Sequence, residues 1–249
     1  MRFASFCALW IFILLCSNPI IADSSISSEK SSETSFNPLP EVFMGNKKAP
    51  VEIIMYFSPT CNHCAEYELN FLPEIKEKFI DSGQIRFIMR LMPFHKLDYV
   101  VAKLIWNRSN EDIIRNMQFF LAHQKEWLDP VLEDSKKRGK LLSIALSKTA
   151  ESSGKTVQEL KDILDIPNHI ETGFLKLFAL RNGFSIKEIR QAFEEDPDWE
   201  NSLALNHLQA EKDFGKPLDY VPAFLINGKV VKEWPKAESI QTVLRSFKN

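Results

Sequence analysis

The sequence predicts an α/β fold in which a strand–helix–strand unit and a closing hairpin with its helix are separated by a large all-helical insertion. Three observations carry this. Two nearly continuous apolar runs, Val51–Phe57 and Ile85–Leu91, flank a stretch whose apolar residues recur at helical spacing. Residues from about 95 to 214 carry helical signals almost throughout. Asn227-Gly228, a strong two-residue hairpin signal, sits between two further strand-like runs.

The elements follow in order. Residues 23–37 are rich in Ser, Glu, Thr and Asn and read as a disordered spacer, extended to residue 40 by Pro38 and Pro40. Val51–Phe57 is apolar enough for a strand buried on both faces. Ser58-Pro59-Thr60 turns the chain. From Cys61, a helix carries Tyr67, Phe71, Leu72, Ile75 and Phe79 on one side and ends at Asp81-Ser82-Gly83. Ile85–Leu91 is the second strand, and strand–helix–strand is the unit that builds a parallel pair.

In the middle block, Thr156–Glu159 and Ser185–Glu188 both have the spacing of a capping box, in which hydroxyl and carboxylate each satisfy a free backbone N–H. Leu160, Ile163 and Leu164 form one apolar stripe; Ile186, Ile189 and Phe193 form another. Gly139, Gly154, Asn182-Gly183 and Asp196-Pro197 are expected to punctuate five to seven helices. After Gly215-Lys216-Pro217, Ala223–Ile226 and Lys229–Trp234 are expected to pair as a hairpin. Ile240, Val243, Leu244 and Phe247 then mark a closing amphipathic helix.

With 249 residues, 45% hydrophobic and 26% charged, the chain can bury a sizeable core. A formal net charge of −2 argues against non-specific nucleic-acid binding, which needs a basic surface. Residues 1–22 read as a signal peptide: Arg2, an uncharged apolar run Phe3–Leu15, Pro19, and Ala22 before a mature start at Asp23. The competing reading is an uncleaved anchor, although the run falls short of the roughly 20 residues a membrane span needs. The expected location is therefore the periplasm or the cell exterior.

Cleavage there removes Cys7 and Cys16 and leaves Cys61 and Cys64 as the mature pair. A disulfide that closes so small a loop gains little from chain entropy, so the pair is better read as reactive than as a staple. Cysteine attacks disulfides as thiolate. Cys61 follows a turn and opens a helical pattern, where unpaired N–H groups and the helix dipole favour a negative sulfur. His63 between the cysteines is expected to favour it further. Whatever stabilises the thiolate makes the disulfide a stronger oxidant. Cys64, one turn in, is expected to be buried and to act as resolving thiol.

The remaining polar residues read more plainly. A structural zinc wants four ligands, and His95, His123, His169 and His207 show no spacing that would join the cysteines, so no metal and no cofactor are expected. Glu66 and Glu68 read as solvated helix positions. Lys136, Lys137, Arg138 and Lys140 read as a solvated helix end.

In four places the chain resembles the DsbA-like branch of the thioredoxin superfamily: Met44 to Val51, Phe57 to Cys64, the run from Phe71-Leu72-Pro73 through Ser82 to Ile88 and on to Pro93 and His95, and Tyr220 to Lys229. The resemblance implies a thioredoxin-like fold over residues 41–95 and 213–249, with 96–212 as the helical insertion. It implies a cis Val221-Pro222 bond facing the Cys61–Cys64 disulfide, with Val221 offering its backbone to an extended substrate. Two departures stand out. Asn62 replaces the proline common after the first cysteine. Met55 stands where many relatives place a buried acid, and Glu52 lies nearby, three residues away.

The activity so implied is protein-disulfide oxidation. Exported proteins with reduced cysteine pairs would be the substrates, and a membrane oxidase would recharge the disulfide. The competing readings are a disulfide reductase or isomerase, and a non-enzymatic peptide-binding chaperone.

Overall fold

The computed structural model describes residues 39–106, 109–166 and 170–246. The expected signal peptide, Cys7, Cys16, Pro38, most of the spacer, His169 and Phe247 lie outside the described residues.

Five strands form one sheet: β1 (Val42–Gly45), β2 (Val51–Phe57), β3 (Ile85–Leu91), β4 (Ala223–Ile226) and β5 (Lys229–Val231), in the spatial order β1-β3-β2-β4-β5. β2 and β3 are parallel, from Val51 opposite Ile85 to Phe57 opposite Leu91. The other neighbours are antiparallel. β2 is central, and its alternating side chains explain why the run is apolar throughout. Ile53, Met55 and Phe57 enter the main core on one face. Ile54 and Tyr56 pack on the other face with Ala210, Leu218 and Phe214.

After β2, α1 (Asn62–Asn70) breaks at Phe71, resumes as α2 (Leu72–Ile75) and ends in a π-helical turn, Lys76–Ile80. The spacing alone predicts one continuous helix. Pro73 is the reason for the break, since it has no N–H to continue the ladder and crowds the preceding turn.

The insertion holds nine helical segments among the described residues rather than five to seven: α3 (Lys96–Trp106), α4 (Asn110–Ala122), α5 (Gln124–Trp127), α6 (Asp129–Leu132), α7 (Ser135–Ser153), α8 (Val157–Ile163), α9 (Ile170–Arg181), α10 (Ile186–Phe193) and α11 (Pro197–Phe214). Two of these are single turns, α5 and α6, separated at Leu128 just before Pro130. Both capping boxes form as read. Gly154 ends α7 in the left-handed conformation, whereas Gly139 lies inside that helix and punctuates nothing. The insertion shares one core with the sheet: Leu146, Leu160, Phe178 and Leu203 belong to the same buried cluster as Ile53 and Phe87. Trp127 anchors it, fully buried, with its indole N–H donating to the Phe120 carbonyl at 3.0 Å.

The hairpin turns on Asn227 and Gly228, both with positive φ (47° and 74°), as a type I′ turn requires. Asn227 also ties the hairpin to β2, accepting from the Glu52 N–H at 2.7 Å and donating its own N–H to the Glu52 carbonyl at 2.9 Å. The return strand stops at Val231, short of the expected Trp234. Trp234 instead packs edge-on against Tyr67 and Phe71, with ring centres 6.0 and 5.8 Å away. The closing helix is α12 (Ala237–Ser246).

Gly45 ends β1 at φ +89°, and a Cβ there would lie 2.2 Å from the Ile85 carbonyl oxygen. Gly45→Ala should therefore lower stability by at least about 2 kcal/mol. Gly139→Ala, in open space inside α7, should raise it by about 1 kcal/mol. Chemical denaturation of both variants checks the pair, and equal effects would contradict this account.

Candidate active site

The end of β2 delivers the turn that carries the cysteine pair. The Cys61 N–H donates to the Ser58 carbonyl at 3.1 Å, closing the Ser58–Cys61 turn. Cys61 is extended (φ −80°, ψ 118°) and N-caps α1, its sulfur accepting the Cys64 backbone N–H at 3.4 Å. The sulfur thus occupies the place a capping oxygen would take, against N–H groups with no partner within the helix. Cys61 is half-buried and Cys64 fully buried, and both are free thiols.

The two thiols diverge in acidity for reasons that can be separated. Cys61 is brought down to about 6, first by the hydrogen bond from the Cys64 thiol and then by the backbone N–H groups of Cys64 and His63; burial opposes this. Cys64 is pushed well up, first by burial, then by Cys61, with Asp98 adding to it. His63, expected from the sequence to add to the effect of the helix N-terminus, does so as the smallest of these causes. Its ring is exposed and packs edge-on to Trp234 at 5.9 Å.

The Val221-Pro222 bond is cis. It places the Val221 carbonyl 3.3 Å from the Cys61 sulfur, which donates to it as a thiol. Pro222 is buried beneath and Val221 is partly open. So the structure gathers Cys61, Cys64 and Val221-Pro222 at one end of the sheet, with His63 at its rim.

The acid that bears on Cys64 lies neither at position 55 nor at Glu52. Met55 is fully buried, and Glu52 pairs with Arg86 at 3.0 Å. Asp98 of α3, with no exposed surface, accepts four hydrogen bonds: from Ser58 Oγ (2.7 Å), Thr60 N (2.9 Å), Phe94 N (2.9 Å) and His95 N (3.0 Å). Burying a carboxylate costs several kcal/mol. Hydrogen bonds to a charged group return about 1.5–3 kcal/mol each, so four of them offset that cost. Nothing in the local periodicity marks Asp98 as buried.

Glu68 is expected from its sequence to be solvated, like Glu66. Glu66 is exposed, but Glu68 is 7% exposed against α4, where Gln118 Nε2 donates to it at 2.8 Å, and burial raises it to about 7. Its position four residues after Cys64, on the inward face of α1, is the available signal. No group of three or more His, Cys, Asp or Glu able to hold a metal occurs among the described residues. No described helix is long and apolar enough to cross a membrane.

A helix-capping cysteine pair facing a cis-proline on a mixed five-stranded sheet defines the class of thioredoxin-fold proteins. A family model described as Thioredoxin matches residues 38–246, and the chain belongs to that family. Over 90 residues it is 39% identical to proteins of Rickettsia prowazekii (strain Madrid E) and Rickettsia felis (strain ATCC VR-1525 / URRWXCal2), each named provisionally as a protein-disulfide oxidoreductase. Those matches span 35% of this chain and 32% of each relative, about a third of the relatives' length. The fold is also that of Wolbachia pipientis alpha-DsbA1 (TM-score 0.58, 19% identity, 84% of this chain and 92% of that one). A protein-disulfide isomerase of Novosphingobium aromaticivorans shares it too (TM-score 0.62, 16% identity, 84% and 97%). The fold is thus DsbA-like, with the helical block in the place of that fold's insertion.

Glu68 gives a pH dependence with a definite sign. Burial makes it a weaker acid in the folded chain, which therefore keeps a proton that the unfolded chain loses near about pH 4.3. The stability tied to that proton is complete below the unfolded value and is lost as pH rises through about 7. Glu68→Gln should flatten the fall in Tm over this window and exceed wild type above it. A wild-type Tm that does not fall as pH rises through the window would contradict the assignment.

Proposed function

We propose that the chain is an exported thiol–disulfide oxidoreductase that donates a Cys61–Cys64 disulfide to cysteine pairs in exported proteins. The observation that carries this is the split between the two sulfurs: one half-open and thiolate-favouring beside the Val221 carbonyl, the other sealed and held as a thiol. The names of the Rickettsia relatives point to the same chemistry.

In the forward reaction, a client thiolate attacks Cys61 Sγ of the disulfide, and the S–S electron pair leaves on Cys64, which takes up a proton. A second client thiolate then attacks the client sulfur of the mixed disulfide. The client disulfide forms and Cys61 departs as thiolate. Two electrons pass from client to chain in each cycle.

A leaving sulfur that is stable as thiolate at neutral pH makes the second step easy and the reverse reaction hard, which favours oxidation over reduction. Val221 would hold the client segment by strand addition, and Pro222 would fix the carbonyl beside Cys61. His63 would act on Cys61 from the rim. Residues 41–95 and 213–249 would form the redox domain, with 96–212 as its cover. Export rests on the charge and apolar pattern of residues 1–22. A membrane oxidase would return the disulfide.

Equilibration of the pair with glutathione tests the direction. The expected reduction potential is about −120 to −150 mV. A value near about −270 mV would turn the reading to a reductase. A chain with no reversible couple would leave only a peptide-binding role.

A further inference from the structure

Asp98 joins two turns that the redox chemistry depends on. Through Oδ1 it holds the Ser58–Thr60 turn, which delivers Cys61. Through Oδ2 it holds Phe94 and His95, the turn that leaves β3 and opens the insertion. The Cys61 N–H closes the Ser58–Thr60 turn on the Ser58 carbonyl and the Cys61 sulfur accepts the Cys64 N–H at 3.4 Å, so the chain of contacts runs from Asp98 through that turn to Cys61 and Cys64. All four acceptor positions of the carboxylate are filled by these donors, and none of its surface is left to solvent.

We propose that Asp98 is a positioning residue of the redox centre: it fixes Cys61 through the Ser58–Thr60 turn and sets a buried negative charge beside Cys64. This rests on the reading of Cys61 and Cys64 as a reversible disulfide pair. When the disulfide opens, the electron pair arrives on Cys64, and a neighbouring anion disfavours a second negative charge there. Cys64 therefore takes a proton from water, and its S–H is then free to donate to the Cys61 thiolate. Among the described residues, the titratable groups with the largest bearing on Cys64 are Cys61 on its own helix turn and Asp98 from α3, and Glu68 lies one turn further along α1. His63 faces outward to Trp234. The first helix of the insertion is thus part of the redox machinery as well as its cover.

Two variants separate the two parts of the proposal. Asp98→Asn keeps the shape but removes the charge and turns an amide N–H toward backbone donors. In a Cys61→Ser background, thiolate ultraviolet absorbance should show Cys64 titrating about one pH unit lower once Asp98→Asn is added than with Asp98 in place. With both cysteines intact, reaction of the reduced chain with glutathione disulfide should slow severalfold. Ser58→Ala keeps the charge and cuts one tie. It should slow the same reaction severalfold while leaving the Cys64 titration in place.

Where the wild-type chain shows a reversible couple, an unchanged Cys64 titration and exchange rate in Asp98→Asn would overturn the proposal and leave the function standing. If Asp98→Asn does not fold, an unchanged exchange rate in Ser58→Ala overturns it. A wild-type chain without a reversible couple overturns both.

Discussion

The sulfur of Cys61 rests against the first backbone N–H groups of α1, and most of the structure serves to keep it there. A helix N-terminus stabilises a negative charge only within its first turn. The sulfur must therefore sit at the cap and nowhere else. That demand fixes the length of the turn after β2, and the turn needs a rigid strand behind it. β2 meets this by being central and buried on both faces, so its last residue cannot shift without disturbing two cores. β4 then brings Val221 and Pro222 alongside, because it pairs with β2 so that Ala223 stands opposite Tyr56.

The helical insertion bears on the same point from the other side. It shares its core with the sheet, and it reaches the cysteine-bearing segment with polar contacts: α4 through Gln118 to Glu68 of α1, and α3 through Asp98 to the Ser58–Thr60 turn before it. Close packing of this kind transmits displacement, so a change at either contact is felt at α1. The two buried acids differ in consequence. Asp98 has four donors, while Glu68 has one described donor for Oε1 and a buried Oε2 without a partner. Where hydrogen bonds do not balance burial, the carboxyl keeps its proton toward neutral pH.

Much of this is legible in the chain. The bounds of β2 and β3, the hairpin turn, both capping boxes and the cysteine pair follow from local patterns, since each depends on residues close in sequence. The features that escape such patterns depend on long-range partners. β1 is a four-residue strand that borrows its register from β3 and has the Asn110 side chain bonded at Phe43, which no period within it reveals. Trp234 continues a strand pattern but finds Tyr67 and Phe71 instead. Nothing local distinguishes Asp98 from an ordinary surface acid, and only its spacing from Cys64 hints at Glu68, because burial of a charged residue depends on donors contributed by other elements. His63 draws attention by lying between the cysteines, whereas the Cys64 thiol and two backbone N–H groups act more strongly on Cys61.

The central claim is that the helix cap and the neighbouring thiol hold Cys61 as a thiolate at neutral pH. Titration of the reduced chain, following the rate at which iodoacetamide alkylates Cys61, tests it most directly. The predicted midpoint is about 6, and it should rise when Cys64 is replaced by alanine, which removes the largest stabilising contact. A midpoint near the ordinary thiol value of about 8.5, unmoved by that replacement, would contradict the account.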